Sequence, residues 1–181
     1  MNLRDPLTMI GGRVEDDGNT LVRAITETGL EHESQQHERA YTWTSIPYDG
    51  AAQDTIICVR NDSKTLILHP QWIVINNGAT ASEYQIYIVT AAFTIAGTVI
   101  TPLNMNTKGA VNPDISAYAD ETGNTAQGRM WERTYMPVDS RRFFDLRGLD
   151  LNQDHAIGVD MVADGGGEQS ITICAHHGPV H

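Results

Sequence analysis

Lysine is almost missing from this chain. Of its 181 residues only Lys64 and Lys108 are lysines, and the 12 basic side chains face 23 acidic ones for a formal net charge of −11. Phosphate backbones are held by basic stripes, so this balance excludes a nucleic-acid partner. It suits a protein kept soluble at high local concentration or docked on a basic surface. Cysteine is scarce as well. Cys58 and Cys174 sit inside apolar runs, ICV and ICA, and two buried free thiols are expected there, because free Cys packs as a small hydrophobe. A disulfide is the alternative if the two strands are neighbours, but reducing cytosol disfavours it. Long apolar runs are also lacking. The longest uncharged stretch, Tyr84 to Thr107, is broken by Thr90, Thr94, Gly97, Thr98, Thr101, Pro102 and Asn104. A spanning helix needs about 20 mostly apolar residues, so this stretch reads as two strands and no membrane segment follows. The opening MNLRDPLTMIGG is too short and mixed for a secretory leader.

What is present is a train of short strands. It opens at Ala40 to Pro47, AYTWTSIP, where Tyr41 and Trp43 share one face of a period-2 strand and Thr42 and Thr44 the other. Further strands are expected at 55–60, 66–68, 72–76, 84–90, 93–100, 128–136, 143–146, 156–163 and 170–175. Turn residues separate them, among them Pro47 to Gly50, Asn61 to Ser63, Asn76 to Gly78 and Asp164 to Gly167. The alternation is clear in Tyr84/Ile86/Ile88, in Ile157/Val159/Met161 and in Ile171/Ile173. No segment patterns as an amphipathic helix of three turns. The length fits one domain. The expected fold is therefore all-β, an antiparallel sandwich of jelly-roll type over residues 40–181. Residues 1–39, polar and without sustained period, are expected to form an extended arm, with one apolar piece at Leu21, Val22 and Ile25. Asn104 to Thr125 reads as a long irregular loop of functional or interface character.

Candidate chemistry fails on spacing. His32-Glu33-Ser34-Gln35-Gln36-His37 resembles a zinc-protease helix, but that site needs His at i and i+4, and Gln36 holds the ligand position. A solvated polar arm is the plainer reading. His155, His176, His177 and His181 are a looser set. Adjacent His176 and His177 would face opposite sides of a strand, so a fraying tail is expected instead. Asp114, Asp120, Glu121 and Asn124 offer oxygens, but the calcium loop's twelve-residue pattern is missing. Asp139, Asp145, Asp150 and Asp154 are candidates for a glycosidase pair only because the chain holds so many carboxylates. Trp43, Trp72 and Trp131 fit a core or an interface better than a sugar platform. No phosphate loop, nucleophile elbow or paired-Cys motif appears. Neither cofactor nor metal is expected, and the chain does not read as an enzyme.

Four stretches, LVRAITETGLEHES, AYTWTSIPYDGAAQDTIICVRNDS, AYADETGNTAQGRMW and GLDLNQDHAIGVDMVAD with SITICAHH, resemble a group of β-rich virion proteins of tailed phages. The resemblance runs from about Val14 to His177 and is carried by turn and strand residues. It implies a capsid decoration (cement) protein or a head-fibre base, often trimeric, bound to the major capsid protein on the outside of the head and assembled in the host cytoplasm. On that reading Arg13, Leu21, Val22, Arg23, Ile25 and Glu31 of the arm contact the capsid. Tyr41, Trp43, Leu103, Met105, Trp131 and Tyr135 are expected at the subunit interface, since interface cores enrich aromatics and Met. A receptor- or glycan-binding fibre or tail protein is the alternative, and a carbohydrate-active jelly-roll enzyme the third.

Overall fold

The alternating runs become strands of two antiparallel sheets that pack on each other. The computed structural model describes residues 10–14, 20–24, 38–45, 55–90, 97–107, 114–119, 128–163 and 168–179, and among them no residue is helical. One sheet has six strands in the order β10 (Gly128–Met136), β6 (Ser82–Val89), β12 (Ala156–Ala163), β4 (Thr55–Asn61), β9 (Ile115–Ala119) and β7 (Thr98–Val99). The other has five: β11 (Arg141–Asp145), β5 (Leu66–Asn76), β13 (Ser170–Pro179), β3 (Ala40–Thr44) and β8 (Leu103–Asn104). The molecule is an all-β antiparallel sandwich.

The core lies between the sheets and is filled by the residues whose period announced them. Ile157, Val159 and Met161 of β12 and Tyr84 and Ile86 of β6 meet Ile171 and Ile173 of β13 and Ile73 and Ile75 of β5. Each such side chain contributes about 1.5–3 kcal/mol by leaving water, before chain entropy is counted. Cys58 on β4 and Cys174 on β13 form no disulfide; both are buried, and they lie in different sheets. Burial pushes the Cys174 thiol up to about 12.

In the arm, the apolar piece with Leu21 and Val22 lies on a strand: β1 (Ile10–Val14) and β2 (Thr20–Ala24) pair as a hairpin sheet of their own, with Arg13 opposite Leu21 and Arg23 opposite Gly11. Two expectations need correcting. The stretch Asn104 to Thr125 is not one loop, because β9 lies inside it and pairs with both β4 and β7. The two strands expected at 66–68 and 72–76 are one, running through Pro70. Proline is tolerated there for two reasons. β11 pairs only with Trp72–Asn76, so Pro70 has β13 alone as ladder neighbour, and a bulge against Cys174/Ala175 falls at the same place.

The outer face of the six-stranded sheet carries a second, smaller cluster of Cys58, Tyr87, Val89 and Ala156. The Tyr87 ring lies flat across the sheet, and it can do so only because its neighbours on β10 and β12 are Gly128 and Gly158. A Cβ on either would stand within the van der Waals radius of the ring. The Tyr87 hydroxyl is 3.0 Å from Thr55 Oγ1, which donates to Asp160 Oδ1 at 2.7 Å. Burial, with Cys58 and Asp160 adding to it, holds the phenol well above its ordinary range. Gly158→Ala is expected to lift the ring off this chain of bonds and to cost about 1–3 kcal/mol. Urea unfolding of wild type and variant measures it, and an unchanged midpoint would contradict the packing described.

Candidate functional site

A sheet ends sideways in strands with unpaired backbone groups, and among the described residues the large exposed apolar side chains lie on those strands or next to them. β10 ends the six-stranded sheet and β11 the five-stranded one, on a single flank, joined by residues 137–140. Asn77, buried at the end of β5, holds that joint. Its Nδ2 donates to the carbonyls of Pro137 (2.7 Å) and Thr80 (2.8 Å), and its Oδ1 accepts from the Tyr84 hydroxyl at 2.7 Å. Asp139 takes a left-handed φ of 48° in the turn, and its N–H donates to the Gly78 carbonyl at 2.8 Å. Asp tolerates that conformation better than most residues.

On this fixed flank stand Met130, Trp131 and Tyr135 from β10, Val138 from the turn and Phe143 from β11; Tyr135 is 66% exposed and Phe143 60%. Arginines are interleaved with them. Arg133 grips Glu83 with two bonds at 2.6 and 3.0 Å, and these hold the Glu83 carboxyl below its usual range. Arg142 spans the two sheets: its guanidinium bonds Thr134, lies 3.5 Å from Glu132 and sits over the Phe144 ring at 5.0 Å. Arg147 chelates Asp145 and holds that carboxyl at about 2. Arg129 and Arg141 form no ion pair among the described residues.

The opposite flank is formed by β7 and β8. It exposes Val99 (69%), Leu103 (66%) and Met105. Beside them Val99, Ile100, Thr101, Pro102, Ile115 and Tyr118 line an open cleft of about 300 Å³.

Of the interface residues expected from sequence, four are on these flanks, two on each side: Leu103 and Met105, Trp131 and Tyr135. Tyr41 and Trp43 are not. They are 1% and 0% exposed, with rings 5.9 Å apart in the core of the sandwich, and so offer no surface for a contact with another copy. Alternation reports a half-buried strand; it does not say what buries it. Of the arm residues Arg13 lies on β1 and Leu21, Val22 and Arg23 on β2, while Ile25 and Glu31 fall outside the described residues, as do His32, His37, Asp120, Glu121, Asn124 and His181. Val99, Met130, Val138, Phe143, Arg129 and Arg141 were not anticipated as surface-site residues.

The tail reading of His176 and His177 is also overturned. β13 runs on to Pro179 at the centre of the five-stranded sheet, and both histidines are buried. His177 donates from Nε2 to Asn61 Oδ1 at 3.1 Å, and Asn61 Nδ2 donates to the carbonyls of Leu66 and Leu151, each at 2.9 Å. The His176 ring stacks 5.1 Å from His69, which is bonded to Asp150 at 2.7 Å. Among the described residues no three His, Cys, Asp or Glu side chains are grouped to hold a metal. Comparison with protein-family models, with curated proteins and with solved structures gave no match.

Burial holds His176 and His177 at about 4; His69 and His177 push His176 further down, while Asp150 pulls it up. Above pH 6.5 both are neutral in the folded and unfolded chain alike, and stability is complete. Below it the unfolded chain takes up protons that the folded one refuses, so stability falls from pH 6.5 towards about 4. A loss of about 2 kcal/mol per histidine by pH 5 is expected. Urea unfolding at pH 7 and pH 5 checks this, and His176→Phe should lessen the drop. Equal stability at both pH values would contradict it.

Proposed function

We propose that this chain is a non-enzymatic structural protein of a phage particle, a decoration protein. On this reading it assembles as a homotrimer through its flanks and docks on the major capsid protein outside the head, without a cofactor. The observation that carries the assembly half is the division of exposed apolar side chains between two sheet flanks, with Trp, Tyr, Met and Arg prominent on one of them. Those are the residue types that interfaces enrich. The docking half rests on the resemblance to virion proteins and on the arm, whose β1–β2 hairpin is a two-stranded sheet by itself. Such a hairpin is marginal in water and gains by lying on a partner.

The strand order supports a jelly-roll reading. β3-β13-β5-β11 and β4-β12-β6-β10 put the last strand of each set between its first two, so the two sheets close on each other as paired Greek keys. A glycan- or receptor-binding role is the second reading, favoured by Trp131 and Tyr135 standing exposed on one strand.

Deleting residues 1–36 is expected to leave a soluble β-body that unfolds cooperatively but no longer binds coat shells. Co-sedimentation with purified shells, alongside thermal melting, tests it. Full occupancy by the truncated chain would remove the arm as anchor. Failure of the full chain to bind shells, with retention on immobilised glycans, would favour the second reading.

A further inference from the structure

The two flanks differ in kind, and the difference says how copies meet. Residues 128–147 hold five arginines against three carboxylates, while the rest of the chain holds seven basic side chains against twenty acidic. The β10–β11 flank is thus a basic, aromatic strip on an acidic molecule. Pairing that strip with itself about a two-fold axis would bring two arginine-rich strips together, and like charges facing across strands destabilise the pair. The β7–β8 flank can take the strip without that repulsion. It is apolar, its residues 97–107 carry no charged side chain, and it contains the cleft beside Val99.

We propose that copies of this chain join head to tail, the β10–β11 flank of one seating on the β7–β8 flank of the next, with an aromatic side chain of β10 entering the cleft lined by Val99, Pro102 and Tyr118. Every large exposed hydrophobic among the described residues lies on or next to an edge strand of one of these two flanks: Met130, Trp131, Tyr135, Val138 and Phe143 at the first, Val99, Leu103 and Met105 at the second. A heterologous contact needs two such different patches on opposite sides, whereas a two-fold contact uses one patch twice. β10 brings a nine-residue strand whose outer ladder side pairs with none of the described residues, and β7 and β8 bring two residues each, so side chains rather than a long shared ladder make the contact. The inference rests on the self-association proposed above and not on docking to a coat shell. A head-to-tail contact closes into a ring, as a trimer requires, or runs on as an open series.

The test is complementation between flank variants of the full chain, read by sedimentation velocity and mass photometry. Trp131→Ser with Tyr135→Ser disables the first flank; Val99→Lys with Leu103→Lys disables the second. All four side chains are exposed, and thermal melting verifies the fold. Each double variant alone is expected to be monomeric at concentrations where the wild type assembles, a weakening of about 30-fold or more. Mixed in equal amounts, the two are expected to form a one-to-one heterodimer and nothing larger, because one good flank of each remains. A monomeric wild type, a double variant that still assembles fully, or a mixture that stays monomeric would each overturn the proposal. Should a double variant melt early, single Tyr135→Cys and Val99→Cys chains give a second readout, since the native thiols are buried. Oxidation is expected to link these chains to each other and neither to itself. A wild type that assembles but ignores coat shells would sink the decoration reading and leave the head-to-tail contact standing.

Discussion

The threading of β13 between β3 and β5 is the constraint on which the rest of this fold depends. Its ladder to β5 runs from Ser170 opposite Asn76 to Pro179 opposite Leu66, and its other side pairs with Ala40–Thr44. Ile171 and Ile173 face Ile75 and Ile73 in that ladder, and the same strand buries His176 and His177 further on. Strand partners separated by some hundred residues carry a large loop-closure cost, so this step belongs late in folding and is slow. Once it is made, β5 is fixed and β11 is placed along its far side. Through Asn77 and the 137–140 turn, β10 is then fixed as well. The surface that the functional reading uses is therefore held by the core ladder, through one buried asparagine.

The shortage of lysine gains a meaning from the flanks. Exposed edge strands in soluble proteins are commonly guarded by lysine, whose long hydrated chain is hard to bury against another sheet. β10 has none; it carries Arg129, Arg133, Trp131 and Tyr135 instead. Arginine is more weakly hydrated than an ammonium and packs its planar fork on aromatic rings. Arg142 already does so over Phe144 within the subunit. An edge built this way is suited to being covered, in contrast to one built to stay in water.

Much of the sandwich was legible in the sequence, and the misses have physical reasons. The runs behind β6, β12 and β13 alternate strongly, so their existence and inward faces follow from period alone, while β4 and β10 were legible as apolar or aromatic runs between turn residues. β9 was hidden because Ile115-Ser116-Ala117-Tyr118-Ala119 is short and lies between Asp114 and Asp120 in a turn-rich neighbourhood, and its burial comes from β4. Leu66 to Asn76 read as two strands because Pro70 lies inside the run and the sequence does not reveal that β11 ends before reaching it. His176 and His177 read as a polar tail because their burial depends on distant partners, Asn61 and His69. Trp131 and Tyr135 were legible as interface candidates by residue type, while Tyr41 and Trp43 failed on the same argument. An aromatic on a strand looks alike in sequence whether its cover is the same chain or another one. The asymmetry between the flanks was not legible at all, since it depends on which strands end each sheet.

Amide hydrogen exchange followed across protein concentration is the most direct measure of the central claim, that the two flanks are where this chain meets its own copies. Protection of residues 128–136 and of residues 98–104 should rise together as concentration increases, while the ladder between β5 and β13 stays protected throughout. If β10 exchanges equally fast at every concentration, or if its protection rises while that of residues 98–104 does not, the account is wrong.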